Sequence, residues 1–301
     1  MKKQLLTCSA VLALALPSAA FAGAYGEREE ATESPVSPPA VQMREEVQES
    51  EAFYRSFASF ITDAETSRGV WAEVGSLYFN DDTRGIDIDG AHTFLHVSYG
   101  QEMWEAGLLL PYEYVKLDAG FGNFEGDGVG DLSLWGKIVP VRTDVFTLGI
   151  GMSASFPSGD QQAFTSDEYG FNPFLTAGFV AGPVHLGTSV GYSRFTDSER
   201  SDAFTYSADV LAPIGDMVVL RAELIGAHYA DLHQNEGHGV TSSDITAFGG
   251  VGDDPVSVVP GVDIIFPIGD AGQLMLRPTG AIGISDAADW QLGLSIAFAQ
   301  T

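Results

Sequence analysis

The chain has 301 residues, 45% of them hydrophobic and only 18% charged, with 35 glycines, one cysteine and a formal charge of −27. Its 41 acids against 14 bases exclude nucleic acid as a partner, because phosphates would be repelled, and one cysteine excludes an internal disulfide or a cysteine-rich zinc site. A mean hydropathy of +0.08 argues against a bundle of membrane helices, and the length suits a single all-β domain.

Lys2 and Lys3 precede an apolar run from Leu5 to Leu16, and a small-residue stretch follows that ends Ala20-Phe21-Ala22. This is the grammar of a secretory signal over residues 1–22, cut after Ala22; the apolar core is short for a membrane anchor. Cutting there removes Cys8 and leaves 12 bases against 41 acids. Beyond it no apolar run reaches the roughly 18 residues of a spanning helix. An exported chain of this kind is either soluble in the periplasm or a barrel in the outer membrane, and periodicity decides between them.

Residues 23–69 are expected to form an acidic disordered tether followed by a short amphipathic helix. The stretch 23–41 is rich in Glu, Pro, Ser and Ala and buries too little to offset its chain entropy. Met43, Val47, Ser50, Tyr54, Phe57 and Ile61 then recur at helical spacing. That helix could lie in the periplasm or enter the barrel mouth as a hatch.

From Val70 onward the period is two. Trp290, Leu292, Leu294, Ile296 and Phe298 alternate with Gln291, Gly293, Ser295 and Ala297, so one face is bulky and apolar while the other is small or polar. A soluble sandwich would place Lys, Glu and Thr on its exposed face; Gly, Ser and Ala suit a barrel interior. The same dyad recurs in 203–212, 130–140 and 103–115. About twelve strands follow, near 70–79, 91–100, 103–115, 130–140, 144–156, 170–181, 184–193, 203–212, 217–229, 255–266, 273–284 and 290–299.

Short connections alternate with longer ones near 80–90, 116–129, 157–169, 194–202, 230–254 and 285–289, the two-rimmed habit of outer-membrane barrels. Residues 70–301 are thus expected to form an all-β, transmembrane, antiparallel up-and-down β-barrel, closed because an open edge in lipid would strand backbone groups. Trp104, Tyr112, Tyr114, Phe156, Tyr192, Phe204, Tyr229, Phe266, Trp290 and Phe298 fall near strand ends, where aromatic girdles sit.

Four stretches in order resemble a family. Gly128-Val129-Gly130-Asp131-Leu132-Ser133-Leu134-Trp135-Gly136-Lys137 resembles the G-x-G-D-L-x-L-x-x-K strand of the outer-membrane family named after the MetA pathway of phenol degradation. Phe156-Pro157-Ser158-Gly159-Asp160 resembles its [LF]-P-[ST]-G-D motif, and Trp71-Ala72-Glu73-Val74-Gly75 and Phe171-Asn172-Pro173-Phe174-Leu175 take their expected places. The resemblance runs from about residue 60 to the C-terminus. It implies a transporter-like outer-membrane barrel passing small, often aromatic, molecules; residues 23–60 have no counterpart in it. The end of the chain also resembles the signal read by the barrel-assembly machinery, with Ala299, Gln300 and Thr301 beyond the aromatic.

Strand phase turns Glu73, Glu105, Glu113, Asp131, Lys137, Asp209, Arg221, Glu223, Asp263 and Arg277 inward. Seven acids and three bases would favour cations in a wet pore; alternatively they pair across a closed interior and hold it rigid. His92 and His96 lie about 13 Å apart on one strand face, too far to share a metal. His233 and His238, beside Asp231, Glu236 and Asp244 in the longest loop, match no established site. The Asp-rich stretches at 80–82, 126–127 and 252–254 lack the ligand order of a calcium loop. Ser98 shares a face with His96, but no third group orients the histidine and no G-x-S-x-G elbow is present. The expectation is therefore a channel rather than an enzyme, without cofactor or metal. It would let small hydrophobic or aromatic molecules cross passively, with lipid and the assembly machinery as its other partners and loop 230–254 as an external lid. The alternative is a plugged barrel that serves structure or surface interaction.

Overall fold

A computed structural model describes residues 55–83, 86–119, 122–159, 168–196, 202–229, 254–285 and 288–300. The signal segment, the tether, residues 43–54 of the expected helix and loop 230–253 lie outside the described residues.

Thirteen strands follow one another: β1 (Gly69–Thr83), β2 (Ile86–Gln101), β3 (Trp104–Ala119), β4 (Gly122–Val129), β5 (Ser133–Arg142), β6 (Phe146–Ser155), β7 (Gly170–Ala181), β8 (Val184–Phe195), β9 (Ala203–Ile214), β10 (Val218–Tyr229), β11 (Val256–Pro267), β12 (Gln273–Ser285) and β13 (Trp290–Ala299). Each pairs antiparallel with its sequence neighbours, except that β4 and β5 both pair with β3. They are two pieces of one position, so twelve strands circle the barrel. Closure comes from β1 on β13, with Trp71 opposite Ala299 and Asn80 opposite Trp290. Each of the twelve positions of the ring thus has a neighbour on both sides among the described residues, as lipid demands, while β4, beyond the ring, pairs with β3 alone.

Alternation separates the two faces as the period of two requires. Outward side chains such as Val74, Leu175, Ile282, Leu292 and Leu294 are at least half exposed. A soluble monomer rarely shows so continuous an apolar surface, and a hydrocarbon surround turns that exposure into burial. No helix among the described residues is long and apolar enough to cross a membrane; strands make this belt. Trp104, Tyr112, Tyr192, Phe204, Phe266 and Trp290 point outward near strand ends. Tyr229 does not: it is buried inside, because its odd position in β10 shares the phase of Arg221 and Glu223.

Tight turns gather on the rim where β1 begins and β13 ends. Gly182 and Gly215 hold φ of 61° and 64° there, a conformation that favours glycine. The opposite rim differs from expectation in two places. Residues 80–90 and 116–129, anticipated as loops, continue the ladders: Thr83 pairs with Ile86, and β4 pairs with β3 from Gly122 to Val129. Asp- and Gly-rich stretches read as turns in isolation, but an existing ladder offers each a partner strand, and tertiary pairing overrides propensity.

Between β4 and β5 the register slips by one residue: Val129 faces Tyr112, whereas Ser133 faces Leu109. The extra residue reverses the side-chain phase, so even positions of β4 and odd positions of β5 look inward.

The interior is filled. Phe57, Ala58, Phe60 and Ile61, from the segment before β1, form one buried cluster with Leu77, Phe94, Leu109, Trp135, Phe174, Ile225 and Val259. The helix expected over 43–61 is not seen in its described part, since residue 57 is a bend and 58–62 are turns. Inside a ring of polar wall groups, backbone N–H and C=O find partners on the wall instead of on the next helical turn.

Candidate functional site: a lumen filled by its own chain

All ten charged residues expected inside the barrel are buried, and each has a partner. Arg277 on β12 is the hub. Its Nη1 donates to both oxygens of Glu73 at 3.0 Å, its Nε donates to Asp263 at 3.1 Å, and its Nη2 reaches the carbonyls of Arg55 and Ser56 at 2.7 and 3.2 Å. Ser295 and Trp71 donate to Glu73 as well. On β10, Arg221 bonds Asp263 at 3.2 Å, Glu223 at 2.9 Å and Thr279 at 2.8 Å.

Glu223 turns its remaining capacity to the inserted segment. The N–H groups of Phe57, Ala58 and Ser59 donate to its carboxylate at 2.6, 2.9 and 3.0 Å, and the Ser59 hydroxyl adds a fourth bond at 3.1 Å. Across the lumen, Glu105 on β3 accepts from Arg55 at 2.6 Å and from Ser67 and Ser98 at 2.7 Å. Lys137 on β5 lies 3.3 Å from Glu105 and donates to the carbonyls of Asp63, at 2.6 Å, and Glu65. Asp63 itself caps the turn by accepting from the N–H and hydroxyl of Ser56. Residues 55–68 therefore form a plug tied to β3, β5, β10 and β12.

The remaining three residues are bonded to groups outside the plug, although Asp209 stands opposite Glu223 across β9 and β10. Glu113 is bonded to His92 Nδ1 at 2.5 Å. Asp209 lies over Gly187 and is bonded to its backbone. Asp131 sits at the register slip and accepts from the N–H groups of Ser158 and Gly159 at 3.1 and 3.0 Å. Leu132 N–H in turn donates to the Ser158 hydroxyl oxygen, and Phe156 N–H donates to Leu132 O. The Gly-Asp-Leu and Phe-Pro-Ser-Gly motifs, some 25 residues apart, are thus two halves of one clasp.

The uncharged lining is uneven around the wall. Trp71, Leu77, Ile88, Phe94, Leu109, Val115 and Trp135 project inward from a first arc, β1–β5, and Ile225, Val259, Ile265 and Met275 from β10–β12, whereas the second arc, β6–β9, presents Ser153, Asn172, Thr176, Ser189, Ser193, Thr205 and Ser207 beside Phe174 and Leu211. The phenylalanines of the plug follow the first arc. The Phe60 ring lies 3.8 Å from that of His96 at a tilt of 43°, with Trp135 at 6.3 Å, and Phe57 meets Phe94 edge-on at 5.9 Å. Thr62 faces the second arc and accepts from Ser189 at 3.0 Å.

Ser98 serves Glu105, while His96 is enclosed by Phe60 and Trp135, and among the described residues neither of its ring nitrogens has a hydrogen-bond partner. Ser98 and His96 thus form no pair. His228 pairs with Asp254 at the surface; His233 and His238 lie outside the described residues, as does most of the 252–254 stretch. Among the described residues no group of three His, Cys, Asp or Glu is placed to hold a metal. Asp127 and Asp89 instead accept from outward tyrosines, Tyr112 to Asp127 and Tyr78 to Asp89.

No family model and no curated protein matches the chain. Among solved structures it is similar to the COG4313 outer membrane channel from Pseudomonas putida F1, at 13% identity and a TM-score of 0.58, over 79% of this chain and 97% of that one. NanC porin, at 11% identity, covers 77% of this chain and all (100%) of its own with a TM-score of 0.47. The β domain of the Bordetella autotransporter BrkA, at 13% identity, covers 77% and 99% with a TM-score of 0.47. The first likeness shows a common fold, that of an outer-membrane barrel.

Proposed function

We propose that this chain is an outer-membrane channel for passive passage of small hydrophobic or aromatic molecules, with residues 55–68 as an internal hatch. The observation that carries the reading is the apolar arc of β1–β5. Phe94, Leu109 and Trp135 pack against the plug while it is seated; with the plug away, an apolar permeant gains by moving along them and Trp71, and water or ions do not. The likeness of the clasp motifs to the MetA-pathway family supports the same class of permeant, and the apolar outer belt with the signal-like N-terminus supports the outer membrane as its place.

The test is solute entry into liposomes carrying the purified barrel. Phenol or toluene should equilibrate faster than through bare lipid, and a sugar of similar size should gain less. Equal rates for all solutes with and without protein would overturn the channel.

A second reading, a permanently plugged structural barrel, is favoured by one observation: the plug is tied by buried charge on both sides. In that case loosening either anchor leaves liposome permeability unchanged.

A further inference from the structure

The seat of Phe57 holds more recognition chemistry than a plug requires. Its ring has the guanidinium carbon of Arg221 at 4.9 Å and that of Arg277 at 5.4 Å from the centroid, with Phe94 edge-on. Its N–H and the next two reach the Glu223 carboxylate. The seat therefore combines an aromatic slot beside two cations and a carboxylate that takes three N–H donors.

We propose that this seat is a binding site for a small primary arylalkylamine, and that Phe57 is its built-in stand-in. From ring to nitrogen, Phe57 runs ring–Cβ–Cα–N, the skeleton of 2-phenylethylamine. The ammonium takes the place of the Phe57 N–H and sets a charged donor against the Glu223 carboxylate, which makes the stronger bond; the bonds from Ala58 and Ser59 are lost with the displaced segment. The ring satisfies the guanidiniums through its quadrupole. Local charge favours a cation too: Arg221 and Arg277 face Glu73, Asp263 and Glu223, two positive groups against three negative. Because one seat cannot hold both rings, amine binding displaces residues 57–59 and unlatches the plug on its β10–β12 side. The inference deepens the channel reading and rests on it for the route by which the amine arrives.

The test uses the full barrel in detergent with Cys8→Ser and Ala58→Cys. Ala58 is buried beside Phe57, so its replacement reacts with a maleimide only when the plug leaves. With 2-phenylethylamine labelling should accelerate about tenfold more than with 2-cyclohexylethylamine, which has the ammonium but no π face. Equal acceleration by both amines, or by neither, overturns the proposal.

Calorimetric titration gives an independent check on otherwise unaltered protein. Phe57→Leu, which keeps bulk but removes the competing ring, should bind 2-phenylethylamine more tightly than the parent, and Glu223→Gln should not bind it. Parental affinity in both variants also overturns the proposal. A barrel that binds the amine yet passes no solute into liposomes removes the channel and leaves the seat; one that passes phenol yet ignores the amine removes the seat alone.

Discussion

The plug is held from two sides in different ways. On the β10–β12 side, Glu223 and Arg277 grip backbone groups of residues 55–59, so the grip depends on chain path and on one ring. On the β3–β5 side, Glu105 takes the side chain of Arg55 while Lys137 takes two carbonyls. The first anchor is therefore tolerant of plug sequence and costly to alter from the wall. The second can be cut from either partner.

The sharpest break is Arg277→Met. It leaves Glu73 and Asp263 without their shared cation and removes two bonds to the plug, and breaking buried pairs of this kind costs about 3–5 kcal/mol. Denaturant unfolding in detergent should show the barrel itself destabilised; an unchanged midpoint would remove Arg277 as hub. Glu223→Gln comes next. The amide oxygen is a weaker acceptor for three N–H groups, and a loss of about 2 kcal/mol should raise maleimide labelling at Ala58→Cys about thirtyfold; the wall midpoint should fall less than in Arg277→Met, because Arg221 keeps Asp263.

Arg55→Met should matter less, because Glu105 keeps Lys137, Ser67 and Ser98 and the methionine remains among the rings of Phe60, Trp71 and Trp135. About 1 kcal/mol, or a fivefold rise in labelling, is expected; a larger effect than Glu223→Gln would reverse the ranking of the two anchors. Smallest for the plug is Asp131→Asn, which weakens only the clasp. Amide exchange at Ser158 and Gly159 should quicken about fivefold, with labelling at position 58 unmoved.

The outer face was legible because each outward residue meets hydrocarbon on its own account, and a bulky side chain at every second position declares itself without neighbours. The same phase turned ten charged residues inward, including Asp131 at the slip. It could not say which of them pair, since partners such as Glu73 and Arg277 are 204 positions apart. Strand ends were less legible: Asp and Gly at 80–90 and 116–129 carry turn chemistry, yet the ladders continue through them.

The plug was half legible. Phe57 and Ile61 stood out through helical spacing although the segment there is a series of turns, because turns that bury several sides can mimic a helical stripe. Arg55, Phe60 and Asp63, and the wall residues Trp71 and Trp135, gave no signal as site residues. Their roles exist only once a segment from before the first strand lies inside the barrel.

Single-channel recording most directly tests whether that segment closes the lumen. Glu223→Gln combined with Arg55→Met cuts one tie on each side and leaves every strand in place. The account predicts larger or more frequent conductance steps for the double variant than for the parent in the same bilayer. Indistinguishable recordings from the two, with both proteins folded, would contradict it.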